Sequence, residues 1–234
     1  MAKSLFKAVV LVAVFSVITR LLGIYLSREL GAEMLGVYQV AMSVFMVLVI
    51  LVSSGLPLAV SKFTAKYSVQ NNQKANNAVA TSALVIGLFV SVVLCVIIFA
   101  FQNVIQKIFT DFRCMDILLV LLPAVVASSI YSAFRGALWG QRDYFSVGWT
   151  ELAEQVLRIL FFVLMIECFF TGMDGAMIAA ISLTISCICS AFLAFIVYRK
   201  KGGKICSPRG FIKPVLKSSA PVTGVRAASS LIQP

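Results

Sequence analysis

Apolar residues along this chain come in long blocks with no alternation between faces. Six blocks cover roughly 8–27, 34–56, 78–101, 117–138, 150–171 and 174–198, and a seventh opens at 218. Each complete block is close to the ~20 residues that a bilayer-crossing helix needs. The ~10-residue alternating segments of a transmembrane β-barrel do not occur. Between the blocks lie GAE (31–33), QNNQKANN (70–77), QRDY (141–144), GMDG (172–175) and KKGGK (200–204), stretches rich in turn formers and helix enders. The pattern predicts an all-α, polytopic transmembrane helix bundle. Residues 1–198 make a six-helix lobe, 199–217 a basic cytoplasmic linker, and 218–234 the start of a truncated seventh span. That last block, SSAPVTGVRAASSLIQP, stops part-way across. A helix ending there would leave open carbonyls in lipid, so the expectation is an N-terminal portion of a longer protein.

Composition agrees with the pattern. The chain is 61% hydrophobic and 12% charged, against about 45–50% and about 25% for soluble domains. Lys3 and Lys7 before an apolar stretch imitate a secretory leader. No small-x-small cleavage site follows, and Arg20 interrupts the apolar region, so an uncleaved first span is the reading.

Charge then orients the bundle. With the N-terminus in the cytoplasm, Lys3, Lys7, Lys62, Lys66, Lys74, Arg135, Arg142, Arg199, Lys200, Lys201, Lys204, Arg209, Lys213 and Lys217 fall inside, and Arg28, Lys107 and Arg113 outside. This bias is the positive-inside pattern of a multi-pass inner-membrane protein. The net charge of +11 is thereby an orientation signal, with contact to anionic membrane lipids and no call for nucleic acid. Histidine is absent, which removes the commonest general base and metal ligand. With no paired carboxylates in a loop and no ligand cluster, neither an enzyme, nor a metal, nor a cofactor is expected. The six cysteines form no CxxC pair and read as small buried hydrophobes; Cys114 and Cys168 fall on the same predicted outer side, which permits a disulfide without supporting one.

Three arginines remain inside the spans. At 1.5 Å per residue, Arg20 lies about 18 Å from the inner end of span one, and Arg158 and Arg226 lie about 12 Å deep on two other helices. Each costs ~2.5–3.5 kcal/mol to insert, so such residues turn toward a bundle interior or a wet cavity. In TELAEQVLRIL, Glu151, Glu154 and Arg158 share one helical stripe. Glu154 and Arg158 are also an i,i+4 pair in the favourable order. Two readings of the stripe stand. Either Arg20, Arg158 and Arg226, with Glu151 and Glu154, line a cationic cavity for a phosphate or pyrophosphate headgroup, or Glu154 neutralises Arg158 and locks the bundle. Arg135 and Arg28 sit at span ends, where snorkelling explains them. Gly136 and Gly140 have the small-xxx-small spacing that permits close helix packing.

ITRLLG (18–23), LSRELGAEMLGVYQ (26–39), SSGLPLAVSKFTAK (53–66), FRGALWGQRDYF (134–145) and ELAEQVLRIL (151–160) resemble the stage V sporulation protein B type. That type sits in the polysaccharide transport branch of the multidrug/oligosaccharidyl-lipid/polysaccharide (MOP) exporter superfamily. The resemblance implies about fourteen helices in two lobes that rock around a central cavity. It implies a flippase that carries a polyprenyl-pyrophosphate-linked sugar to the outer leaflet, with a missing second lobe as partner, and Arg20 as the matching arginine of the first-span motif. A cation-coupled multidrug exporter of the same superfamily, or a non-transporting fragment packed on another chain, are the alternatives. Arginines in the cavity favour an anionic cargo over the cationic one.

Overall fold

The computed structural model describes the backbone of residues 2–107, 109, 111–169, 174–208 and 210–232. Within those ranges side chains are described from residue 23 on, apart from 168, 169 and 230–232, together with those of 13, 17, 20 and 21. The described residues form eight helices: α1 (Ala2–Ser53), α2 (Leu56–Val69), α3 (Gln73–Ala100), α4 (Gln102–Gln106), α5 (Arg113–Gly140), α6 (Tyr144–Phe169), α7 (Gly175–Lys200) and α8 (Ile212–Ile232). Among them Gly23–Val69, α3, α5 and α7 are long and apolar enough to cross a membrane by length and composition. α6 carries the Glu151/Glu154/Arg158 stripe, and its charges turn toward its neighbours.

α1 is two arms. Gly31 adopts φ 70°, ψ 172°, a conformation open to glycine alone at no steric cost, and the helix breaks there. The first arm runs along α6, where the rings of Tyr25 and Phe162 meet edge-on at 5.8 Å. The second arm runs along α5. The Cys114 thiol donates to the Val37 carbonyl at 3.7 Å near one end, and the Ser53 and Ser128 hydroxyls lie 3.4 Å apart further on. The two arms thus pack mainly on different helices, the first on α6 and the second on α5.

α5 is the hub, packed on α1, α2, α3 and α7. Leu118, Leu121 and Val125 at its centre are all but fully enclosed. Pro123 removes one backbone donor from this helix. Beside it, the Thr184 hydroxyl donates to the Val120 carbonyl at 2.9 Å and the Cys95 thiol to the Leu122 carbonyl at 3.6 Å. The spacing of Gly136 and Gly140 is used against α2. A Cβ on Gly136 would stand 2.8 Å from Pro57 Cα, and one on Gly140 2.5 Å from Thr64 Cβ. Only hydrogen at both positions lets the backbones approach this closely.

Several boundaries differ from the hydropathy reading, each for a polar reason. α3 starts at Gln73 instead of 78 because the Asn72 side chain caps it, accepting from Ala75 N–H at 3.1 Å. Asn76 and Asn77 are then buried helical residues. Asn76 Nδ2 donates to Ser68 Oγ, and Asn77 Oδ1 accepts from the Tyr198 hydroxyl at 3.0 Å. α6 starts at Tyr144 because Asp143 accepts from Ser146 N–H and hydroxyl, at 3.3 and 2.8 Å. The second span does not end at 56. It kinks at Ser54–Gly55 and continues as α2, with Pro57 in the first turn, where its missing N–H costs nothing.

The linker predicted over 199–217 shrinks to 201–211, and α8 begins at Ile212, its two lysines exposed. The short linker is pinned. Cys206 N–H donates to Thr81 Oγ1 at 3.1 Å, the Ser82 hydroxyl to Pro208 O at 3.2 Å, and Phe211 packs edge-on against Tyr67. α8 packs on α1, α2 and α3, with Ser219 against Gly55 at the kink. Cys114 is a free thiol. The side chain of Cys168, residues 172–173 of GMDG, Arg209 and the last two residues lie outside the described set.

Candidate functional site

A cavity of about 670 Å³ opens between the second arm of α1, the start of α2, the second half of α5, α6, α7 and α8. Its wall sets charged and polar side chains from α5, α6, α7 and α8 opposite apolar ones from α1 and α2. α6 contributes Glu151, Glu154, Gln155 and Arg158, which recur every three or four residues and so face one way. α5 contributes Tyr131, Arg135 and Trp139 at spacings of four, and α8 contributes Arg226.

Two ion pairs organise this wall. Arg158 Nη2 donates to Glu154 Oε1 at 3.0 Å, both side chains less than one-fifth exposed. Glu154 is held from α7 as well: the Ser190 hydroxyl donates to its Oε2 at 2.9 Å, and the Cys187 thiol reaches Oε1 at 3.9 Å. The second pair joins helices. Arg135 on α5 meets Glu151 on α6, Nη2 to Oε1 at 2.5 Å. The Arg135 guanidinium also lies 4.4 Å from the Trp139 ring centroid and 5.9 Å from that of Tyr131. A guanidinium over a ring face gains about 0.5–1 kcal/mol when exposed, and more when desolvated. Arg226 has an exposed side chain and no ionic partner among the described residues. Three arginines against two glutamates leave the wall with one net positive charge.

Four of the five expected cavity residues therefore meet: Arg158, Arg226, Glu154 and Glu151 share this wall. Arg20 does not join them. It is exposed on the first arm of α1, in the same exposed sector as Val17, Leu21 and Ile24, because that arm packs on α6 through its opposite side, at Tyr25. The pairing of Glu154 with Arg158, one of the two readings of the stripe, is present, and both residues line the cavity all the same.

Arg135 corrects the sequence reading. A position at a span end suggests snorkelling, yet Arg135 is two-thirds covered, tied to Glu151 and stacked on α5 aromatics. The signal was present in YSAFRGALW, where Tyr131, Arg135 and Trp139 fall on one face. Gln155, which follows Glu154 directly, also lines the wall, though the charge pattern of α6 does not single it out.

A second, larger groove of about 760 Å³ lies on the opposite face of α5, between α3 and α7. Leu119, Val126, Phe134, Phe192 and their neighbours line it, and it offers no charged group. Of these two cavities, the first is the one that offers charged groups.

The geometry has counterparts among known proteins. The fold is that of solved transporters of the MOP superfamily. The outward-facing conformation of a multidrug resistance MATE family transporter matches with a TM-score of 0.79 at 18% identity, covering 98% of this chain and 53% of that one. The inward-facing conformation of such a transporter matches at 0.67 and 14%, covering 89% and 54%. A MOP superfamily transporter from Pyrococcus furiosus, described as having a binding pocket of reverse polarity, matches at 0.72 and 16%, covering 99% and 52%. In sequence the chain is 27% identical over 206 residues to stage V sporulation protein B of Bacillus subtilis (strain 168), covering 83% of this chain and 40% of that protein. The chain thus spans less than half the length of that curated relative and about half that of the solved transporters. A family model described as polysaccharide biosynthesis protein matches residues 4–234, and the chain belongs to that family.

Proposed function

We propose that this chain is one lobe of a flippase that moves polyprenyl-pyrophosphate-linked saccharides across the cytoplasmic membrane, its N-terminus on the cytoplasmic side. The observation that carries the reading is the cavity wall, where Arg135, Arg158 and Arg226 converge from α5, α6 and α8 against only two carboxylates. Arginine suits this cargo because its planar fork pairs with phosphate oxygens in two parallel hydrogen bonds. A cation exporter would gain from the reverse balance. Transport follows by alternating access: the headgroup binds in the wet cavity, the polyprenyl tail stays in the bilayer, and a rocking of two lobes re-exposes the cavity on the far side. The second lobe is supplied by further sequence or another chain. The exposed sector of the first arm, with Arg20 at its middle, is the surface we assign to that lobe.

Binding by the chain in lipid nanodiscs tests this without requiring transport. A short-chain polyprenyl pyrophosphate should bind and a lipophilic cationic dye should not. Arg158→Gln and Arg226→Gln should each weaken the pyrophosphate about tenfold or more. Binding of the dye in place of the pyrophosphate, or arginine variants that bind both probes as before, would refute the assignment.

A further inference from the structure

Buried polar atoms in proteins nearly always have hydrogen-bond partners, so a cluster of unpartnered ones lining a cavity is a place for water, an ion or a ligand to complete. Among the described residues seven buried side-chain polar atoms lack a protein partner, and five belong to residues lining the cavity described above: Ser54 Oγ, Arg135 Nε, Glu151 Oε1, Gln155 Oε1 and Arg158 Nε. Glu151 Oε1 faces the Arg135 guanidinium and is satisfied electrostatically. The remaining four make demands of opposite sense. The two guanidinium Nε atoms are donors seeking an acceptor, the Gln155 oxygen is an acceptor seeking a donor, and the Ser54 hydroxyl can serve either.

Gln155 is the informative member. It is 5% exposed, its oxygen has no protein partner, and it stands three residues from Arg158 on the same face of α6. A phosphate oxygen could not satisfy it, because an acceptor would then face an acceptor. What satisfies Gln155 must carry O–H or N–H and must lie within about one helical turn of the anion at Arg158.

We infer that the cavity holds a second subsite, at Gln155, for a neutral hydrogen-bond donor of the cargo: a sugar hydroxyl or acylamino N–H next to the pyrophosphate. This deepens the flippase reading and rests on it. Bare polyprenyl pyrophosphate meets only the arginine side of the wall, whereas the glycosylated lipid meets both. Gln155 therefore separates loaded carrier from unloaded carrier. A transporter needs that distinction if it is to move cargo instead of returning the empty lipid. Sites built around a hydrogen-bonding group discriminate in this way, since an analogue lacking the group leaves a buried polar atom unpaired.

Two probes are titrated calorimetrically into the chain in nanodiscs: a short-chain polyprenyl pyrophosphate, and the same lipid bearing one N-acetylhexosamine. The unmodified chain should prefer the glycosylated probe about tenfold. Gln155→Met, which keeps the volume and removes the acceptor, should narrow that preference below about threefold. Gln155→Asn, which keeps the amide but withdraws it by one methylene, should do the same and serves if the methionine variant is unstable. Equal affinity of the two probes for the unmodified chain, or an undiminished preference in both variants, overturns the subsite while leaving the anion site standing. Failure of both probes to bind the unmodified chain overturns the flippase reading itself.

Discussion

Replacing Glu154 by glutamine should lower stability and raise affinity for a pyrophosphate at the same time. The carboxylate has two jobs in the structure. It accepts from Arg158 Nη2 at 3.0 Å and from the Ser190 hydroxyl at 2.9 Å, so it joins α6 to α7 while compensating a cation inside the bundle. Glutamine preserves shape and can still accept one of these bonds, but it removes the charge. Breaking a fully buried ion pair from one side costs about 3–5 kcal/mol, and losing a charge-assisted hydrogen bond costs about 1.5–3 kcal/mol. The pair faces a wet cavity and is not sealed, so the smaller range applies, and about 2 kcal/mol is expected. For a chain of this length that corresponds to a fall of about 4–8 °C in the unfolding midpoint. The double variant Glu154→Gln/Arg158→Gln should recover most of the loss, because no unpaired guanidinium remains.

Affinity moves the other way. In the intact chain a phosphate must compete with Glu154 for Arg158, and removing the competitor leaves the guanidinium free. If half of that 2 kcal/mol passes to the ligand, pyrophosphate binding tightens about fivefold. Thermal unfolding of detergent-purified protein gives the first number and calorimetric titration with a short-chain polyprenyl pyrophosphate the second. Parallel loss of stability and affinity would show that Glu154 itself contacts the ligand. That result would refute the competition on which the sign depends.

Further expectations concern the scaffold and are read from the same unfolding curves. Gly140→Leu should destabilise by about 1–3 kcal/mol, because its side chain must enter space held by Thr64 and the Ser61 carbonyl; an unchanged midpoint would mean that α2 and α5 are not in contact. Tyr198→Phe should cost about 1–3 kcal/mol by stranding the buried Asn77 oxygen, with the ring's contact to Phe134 kept. Asp143 lies outside the spanning segments. Burial raises its pKa, but the bonds from Lys201 and Ser146 outweigh that and hold it below the usual carboxylate value. A lowered folded-state pKa gives stability that is present above the unfolded-state value and lost as pH falls through the folded one. The midpoint difference between the unmodified chain and Asp143→Asn should therefore be full at neutral pH and close on acidification below the ordinary aspartate range.

How much of this was written in the sequence depends on whether a signal is local. Apolar block length is local, and each block falls on a helix or helix arm among the described residues. The stripe Glu151/Glu154/Arg158 is local too, because helical spacing alone puts those groups on one face. Helix starts were misplaced where the deciding group lay just outside the apolar block: Asn72 and Asp143 cap helices that hydropathy begins several residues later. The fate of Arg135 was the hardest to read. Its partner Glu151 lies on the next helix, across a turn, so nothing in the spacing distinguishes a guanidinium reaching for water from one reaching inward. Arg20 fails in the converse way. Its depth in the first block predicts shelter, but the arm packs through Tyr25 and turns Arg20 outward. Depth along a helix can be counted from sequence, whereas rotation about its axis is set by the neighbour it packs against. An exposed arginine at mid-depth costs ~2.5–3.5 kcal/mol against lipid. If the second lobe proposed above covers that sector, cysteine cross-linking from Val17 or Leu21 will capture it, and the absence of any cross-link would refute that placement.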